Sequence, residues 1–221
     1  MSPQVYDGRL KHPFSLICSG PSQSGKSTFI CDFVKNHRNC VDTTFDNIYW
    51  FYGVETQMVK NDQEFCLLGT TIQFVEGLPE DLEQYIDEER TNMLIFDDLM
   101  DQAVNSQVIV DLFTKNIHHK NISCILSLQN YFHNGQNNRG LRSTIERNTN
   151  YLVLFPNKLD NSSISTIAHR IMPKNSKLFI NVFETACKNG RYLFIDGKQS
   201  SHPSLKFRTD IAKDVQKIYT V

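Results

Sequence analysis

A chain of 221 residues with 40% hydrophobic and 21% charged residues has the balance of an ordinary globular protein, which argues against a disordered chain or a fibrous repeat. The formal charge of -1 excludes bulk attraction to DNA or an anionic membrane, so any nucleic-acid contact must come from local basic loops. The longest apolar runs, MLIF and YLVLF, fall far short of the roughly 20 residues a membrane helix needs, and MSPQVYDGRLKH lacks a signal-peptide core; the expectation is a soluble, intracellular protein forming one domain over 1–221.

After an N-terminal arm at 1–13, the apolar run at 14–18 predicts a first strand. It runs into CSGPSQSGKST, and the following FICDFV continues a helical pattern over 26–36. Strand-sized runs then fall at 48–52 and 71–75, a helix-like segment at 79–89, and a strand at 93–96 that ends in Asp97 and Asp98. A helix at 106–116 leads to the strand at 122–128, which ends in Gln129 and Asn130. Beyond the exposed loop HNGQNNRG at 133–140 come a strand at 151–155, a helix at 159–171, a strand at 192–195 and a last helix at 210–219 within the C-terminal segment 210–221. Strands alternating with helices predict an α/β fold with a mainly parallel central sheet flanked by helices on both faces. Six cysteines without a Cys-x-x-Cys pair, set mostly among apolar neighbours, read as buried thiols rather than zinc ligands or disulfides.

Gly20, Gly25, Lys26 and Ser27 fit G-x-x-x-x-G-K-[ST]. A strand before the loop and a helix after it make its amides and the helix N-terminus converge on a phosphate. The candidate nucleotide-binding residues are Gly20, Pro21, Ser22, Gln23, Ser24, Gly25, Lys26, Ser27 and Thr28, with Lys26 bridging β- and γ-phosphates and Ser27 holding Mg2+. Four apolar residues ending in Asp97 and Asp98 form a Walker B pattern, in which Asp97 reaches the metal and Asp98 orients or deprotonates water. Gln129, closing its strand, is positioned to contact both γ-phosphate and water. Two predicted strands lie in sequence between the phosphate loop and Asp97, as in the ASCE division of P-loop NTPases, which carries a second catalytic acid and includes RecA-like motors.

A competing signal is FPNKLD, where Asn157, Lys158 and Asp160 match the N-K-x-D guanine motif of GTPases. Against it, no glycine follows Asp97 and Asp98 to complete D-x-x-G. A nucleotide kinase is opposed by the same acid pair, because it must exclude water from the transferring phosphate. A nucleotide-binding assembly protein without motor activity is the remaining alternative.

With these motifs, and with IYWFYGVETQ, VEGLP, LFTKNIHHKNISCILSLQNYFHNG, RNTNYLVLFPNKLD and YLFIDG, the chain resembles, nearly end to end, the genome-packaging ATPases of the FtsK–HerA superfamily found in Maverick/Polinton elements, virophages, adintovirus-like viruses, poxviruses and other large DNA viruses. The resemblance implies a hexameric or pentameric ring that hydrolyses ATP with Mg2+ and drives double-stranded DNA into a preformed capsid, working with capsid or portal-vertex proteins at sites of virion assembly. It assigns Lys26 and Ser27 to phosphate and magnesium, Asp97 to magnesium, Asp98 to the catalytic acid and Gln129 to the sensor. Glutamate is the more usual second acid, and Asp98, shorter by a methylene, has to sit closer to the water. An arginine donated by a neighbouring subunit is also implied, with Arg142 and Arg147 as the candidates. DNA contacts are expected from Lys115, Lys120 and Arg139, while His118 and His119 lack a third ligand at metal-binding spacing.

Overall fold

The computed structural model describes residues 6–55, 70–99, 102, 103, 105–117, 120–132 and 139–220, with side chains at all of these except 116, 139–142, 189 and 190. Nine strands form one sheet: β1 (Ser15–Ser19), β2 (Asn47–Tyr52), β3 (Thr71–Glu76), β4 (Asn92–Asp97), β5 (Ile122–Leu128), β6 (Tyr151–Leu154), β7 (Leu193–Asp196), β8 (Phe207–Thr209) and β9 (Lys217–Ile218). Their spatial order is β3-β2-β4-β5-β1-β6-β7-β8-β9. The pairs from β3 through β6 are parallel and the last three are antiparallel. The central strands β1, β4 and β5 are buried at every position, which their continuous apolar sequences require of strands covered on both faces.

Alternation along the strands divides the core. Leu16, Cys18, Met93 and Ile95 point to the face covered by Phe29, Ile30, Phe33 and Val34 of α1 (Lys26–Lys35). Ile17, Leu94 and Phe96 point to the opposite face, as the period of two dictates. A short α2 (His37–Cys40) follows α1. The opposite face is covered by α3 (Gln107–Asp111), which widens into a π-helical turn at Leu112–Asn116, by α4 (Arg139–Arg147), α5 (Asn161–Ile171) and α6 (Ser176–Gly190). Phe179, Val182, Phe183 and Ala186 form the buried stripe of α6, a helix absent from the chain-order expectations although its i, i+3, i+4, i+7 spacing is regular.

Two expected helices are replaced. At 79–89 only Glu83–Tyr85 turns, as a 3-10 segment. Asp81 and Asp87 accept the backbone N–H two residues on, from Glu83 and Glu89, and Asn92 donates to the carbonyls of Asp87 and Arg90; these local bonds compete with helical ones. The C-terminal helix expected at 210–219 is instead a turn followed by β9. Asp210 takes a positive φ of 60°, its carboxylate binds Lys213 and Lys217, and β9 satisfies the open edge of β8. The five described cysteines are free thiols, three of them buried, and no described helix is long and apolar enough to cross a membrane.

Candidate active site

Because β1, β4 and β5 run parallel, their C-terminal ends open on one edge, and β5 lies between β1 and β4. The phosphate-loop pattern therefore sits beside Gln129, with Asp97 and Asp98 one strand further. Together with Ser22, Gln23, Lys26, Ser27 and Ser127 these groups line a cavity of about 510 Å³.

Local backbone geometry explains the loop's residues. Gly25 caps α1 at φ 103°, a conformation strained for other residues. A Cβ on Gly20 would lie 2.5 Å from the Phe155 Cβ, so no larger residue fits without moving the ring. Lys26 is 9% exposed and donates from Nζ to the carbonyls of Gly20 at 2.6 Å and Pro21 at 2.9 Å. Burial pulls its pKa down, opposed by Cys18, Asp97 and Asp98. The Ser24 hydroxyl is buried and has no hydrogen-bond partner among the described residues.

Asp97 is 5% exposed. Burial raises its pKa, while hydrogen bonds from the hydroxyls of Ser27 and Ser127 favour the ionised form. A hydroxyl and a carboxylate in contact, both hard oxygen donors, suit magnesium, which takes few protein ligands and completes its shell with phosphate and water. Asp98 turns out of the strand at φ 56°, a left-handed conformation that costs about 1 kcal/mol outside glycine. That turn exposes its carboxylate, and Gln129 donates to it from Nε2 at 3.2 Å.

Residues outside the expected motifs complete the cavity. Trp50, Tyr52 and Val54 line it from the end of β2 and the turn beyond. Gly53 donates its N–H to the Asp97 carbonyl at 3.1 Å, and a Cβ there would lie 2.2 Å from the carbonyl oxygen of Asp98. The signal available in sequence was IYWFYG at a strand end, but strand order decides which ends share an edge.

The remaining candidates are scattered. Thr28 faces a second cavity on the other side of the loop. Arg147 is exposed in the last turn of α4; that end leads to Asn150, whose N–H bonds the Ser15 carbonyl, at the sheet edge away from the phosphate loop. The side chains of Arg139 and Arg142, and both His118 and His119, lie outside the described residues. Lys115 pairs with Asp111 at 3.5 Å. Lys120 pairs with Glu83 and, at 3.4 Å, with Glu88, so a DNA phosphate would have to displace carboxylates to reach it.

The N-K-x-D match has a structural explanation. Asp160 caps α5, accepting from the N–H groups and hydroxyls of Ser162 and Ser163, bonds that hold its pKa down at about 2. Asn157 accepts from the Leu159 N–H. Asn157 and Asp160 border a cavity of about 30 Å³, and Asn157 and Lys158 border another of about 290 Å³ that Asp160 does not line, so neither cavity gathers the three residues of the motif.

Comparison with known proteins agrees with this geometry. The family model described as Poxvirus A32 protein matches residues 4–200. A search of the curated proteins gives no match. Among solved structures, the chain is similar to B204, the DNA-packaging ATPase from Sulfolobus Turreted Icosahedral Virus, with 14% identity, a TM-score of 0.54, and coverage of 96% of this chain and 98% of that one. It is also similar to the genome packaging NTPase B204 from Sulfolobus turreted icosahedral virus 2 in complex with AMPPCP, at 13% identity and a TM-score of 0.55, covering 94% and 97% of the two chains. At these identities the likeness establishes a shared fold.

Proposed function

Because this chain belongs to the Poxvirus A32 protein family, we propose that it is an ATP-driven motor of viral genome packaging, a single P-loop ATPase domain that assembles into a pentameric or hexameric ring and moves double-stranded DNA into a preformed capsid. The observation that carries the reading is the convergence of Lys26, the Ser27–Asp97 contact, Asp98 and Gln129 in one cavity at the end of a parallel sheet. Solved structures of similar fold include complexes with ATP-gammaS and AMPPCP, which supports a nucleotide in that cavity.

Each side chain then has a task. Lys26 and the loop amides take the charge of the β- and γ-phosphates. Ser27 and Asp97 are the residues that would hold magnesium, which offsets charge on the phosphates when bound. Asp98 accepts the proton of the attacking water, and Gln129 positions that water and links it to the chain after β5. Release of Asp98 from Gln129 frees the carboxylate for the water. For the arginine acting across subunits, Arg142 belongs to the half of α4 nearer the sensor loop, whereas Arg147 ends the helix at the other sheet edge. Lys115, Lys120 and Arg139 remain the proposed DNA contacts, and capsid or portal-vertex proteins the proposed docking partners at virion assembly sites.

Purified protein is expected to hydrolyse ATP in preference to GTP, to need magnesium, and to turn over severalfold faster with double-stranded DNA. GTP preference would overturn the reading. Tight ATP binding in a ring without turnover would instead identify a nucleotide-binding assembly protein.

Gly53 gives a second expectation. Since a Cβ there meets the Asp98 carbonyl at 2.2 Å, Gly53→Ala has to shift the base by roughly an ångström. Turnover should fall roughly 10- to 100-fold with ATP affinity retained, read by steady-state kinetics beside a binding titration.

A further inference from the structure

The net charge of -1 conceals a division along the chain. Residues 1–138 hold nine Lys and Arg against 18 Asp and Glu, a net of -9, whereas residues 139–221 hold 14 against six, a net of +8. The sheet keeps these two parts apart: β3, β2, β4, β5 and β1 come in that spatial order from the first, and β6, β7, β8 and β9 continue from the second. The β3 end is therefore built from the acidic part and the β9 end from the basic part. Neighbouring strands lie about 4.8 Å apart, so the ends of this nine-stranded sheet are roughly 40 Å apart, several times the Debye length of about 8 Å at physiological salt. They cannot neutralise each other within one molecule.

We propose that the acidic end of one subunit docks against the basic end of the next copy of this chain, and that this head-to-tail contact is the repeating interface of the ring. This rests on the ring-forming ATPase reading and names the two faces that meet. A contact between two different patches can be repeated around an axis until it closes.

Each end presents charge that its own fold leaves available. At the acidic end the connection from β3 to β4 carries Glu80, Asp81, Glu83, Asp87, Glu88 and Glu89, all exposed. Arg90 answers Asp87 at 3.3 Å, and Lys120 answers Glu83 and Glu88, which leaves Glu80, Asp81 and Glu89 without a cation among the described residues. At the basic end, no acid occurs from 161 to 183, through α5 and the first half of α6. Arg170 pairs with Glu146, but Lys158, Lys174, Lys177 and Lys188 are exposed and have no carboxylate partner among the described residues.

The two patches also stand at one height and on one face. Residues 87–89 lead into the start of β4, and the turn between α5 and α6 lies toward the start of β6, because Arg170 reaches Glu146 just before that strand. Since β4 and β6 run in the same direction through β5 and β1, both patches share one edge of the sheet. Tyr85 and Ile86 pack into the same core as Ile164 and Phe179, which puts both on the same face. Patches so matched, at opposite ends of the sheet, suit a closed ring rather than an ascending filament. Apolar surface accompanies the charge: Leu159 is 97% exposed near a groove of about 290 Å³ bordered by Ile164, Phe183 and Cys187, and Val54 is exposed at the other end. Val54 also lines the catalytic cavity, so a neighbour docked at the acidic end stands beside that cavity, where an arginine acting across subunits has to come from.

Charge reversal tests the pairing. One variant carries Lys174→Glu and Lys177→Glu, a second carries Glu80→Lys and Glu89→Lys, and a third carries all four; none of these residues lines the catalytic cavity. Sedimentation velocity with AMPPCP and magnesium would read assembly, beside a thermal melt that checks folding. Each two-site variant should assemble about tenfold or more weakly than wild type, because like charges then face each other. The four-site variant should recover assembly, as should an equimolar mixture of the two two-site variants, since opposite charges meet again. Folded two-site variants that assemble like wild type would overturn the proposal, as would a four-site variant no better than its parents. Loss of DNA-stimulated hydrolysis in the lysine variant with assembly intact would overturn it as well and assign the basic end to DNA. A wild type that stays monomeric would instead remove the ring reading on which the proposal stands.

Discussion

Lys26→Ala is expected to abolish ATP hydrolysis and to weaken nucleotide binding about 100-fold or more. The side chain is a buried cation whose Nζ lies against the loop carbonyls of Gly20 and Pro21, in the electrostatic field of Asp97 and Asp98. Removing it leaves those carboxylates facing a polyanion. Charge-assisted hydrogen bonds contribute about 1.5 to 3 kcal/mol each, and a terminal phosphate loses at least one. The fold should survive, because the apolar side of α1 is built by Phe29, Ile30, Phe33 and Val34. Calorimetric titration together with a thermal melt checks both halves: lost binding at an unchanged Tm is the expected pair. A Lys26→Ala protein that still turned over ATP would displace the chemistry from this cavity.

Asp98→Asn is expected to bind ATP as wild type does and to hydrolyse it about 100- to 10,000-fold more slowly, the usual range for loss of a general base. The substitution keeps shape. An asparagine oxygen still accepts from Gln129 Nε2, as Asp98 Oδ1 does at 3.2 Å, and asparagine tolerates the left-handed φ of 56°. Proton acceptance is removed together with one of the two carboxylate charges that act on Lys26. Single-turnover kinetics with bound ATP isolates the step, and unchanged turnover would show that another group activates the water. The contrast with Gly53→Ala is informative, since that variant keeps the carboxylate and moves it.

Much of the site was legible because its parts are contiguous. G-x-x-x-x-G-K-[ST] specifies its own backbone through Gly25, which must take φ 103°, and MLIFDD announces a buried strand ending in acids. The acid-rich 79–89 segment was misleading because aspartates that decorate a helix surface also bond their own backbone, and here Asp81 and Asp87 did so. At 210–219 the apolar spacing suits a helix, yet the segment pairs with β8, whose open edge lies outside any local window. Asp160 illustrates the opposite error: a residue fitting a guanine motif caps α5, and the two roles share the same short pattern.

The sequence by itself determined the G-x-x-x-x-G-K-[ST] pattern, the acid pair Asp97 and Asp98, the strand-closing Gln129 and the alternation that makes an α/β sheet, because each depends on covalent neighbours or on a period of two or 3.6 residues. Only the tertiary structure decided that β5 lies between β1 and β4, that Gly53 abuts Asp98, and that the reversed β7 opens a second cavity beside Thr28. Those facts depend on strand order and on contacts between residues far apart in the chain, where many pairings satisfy the same local pattern and packing of the whole core selects one.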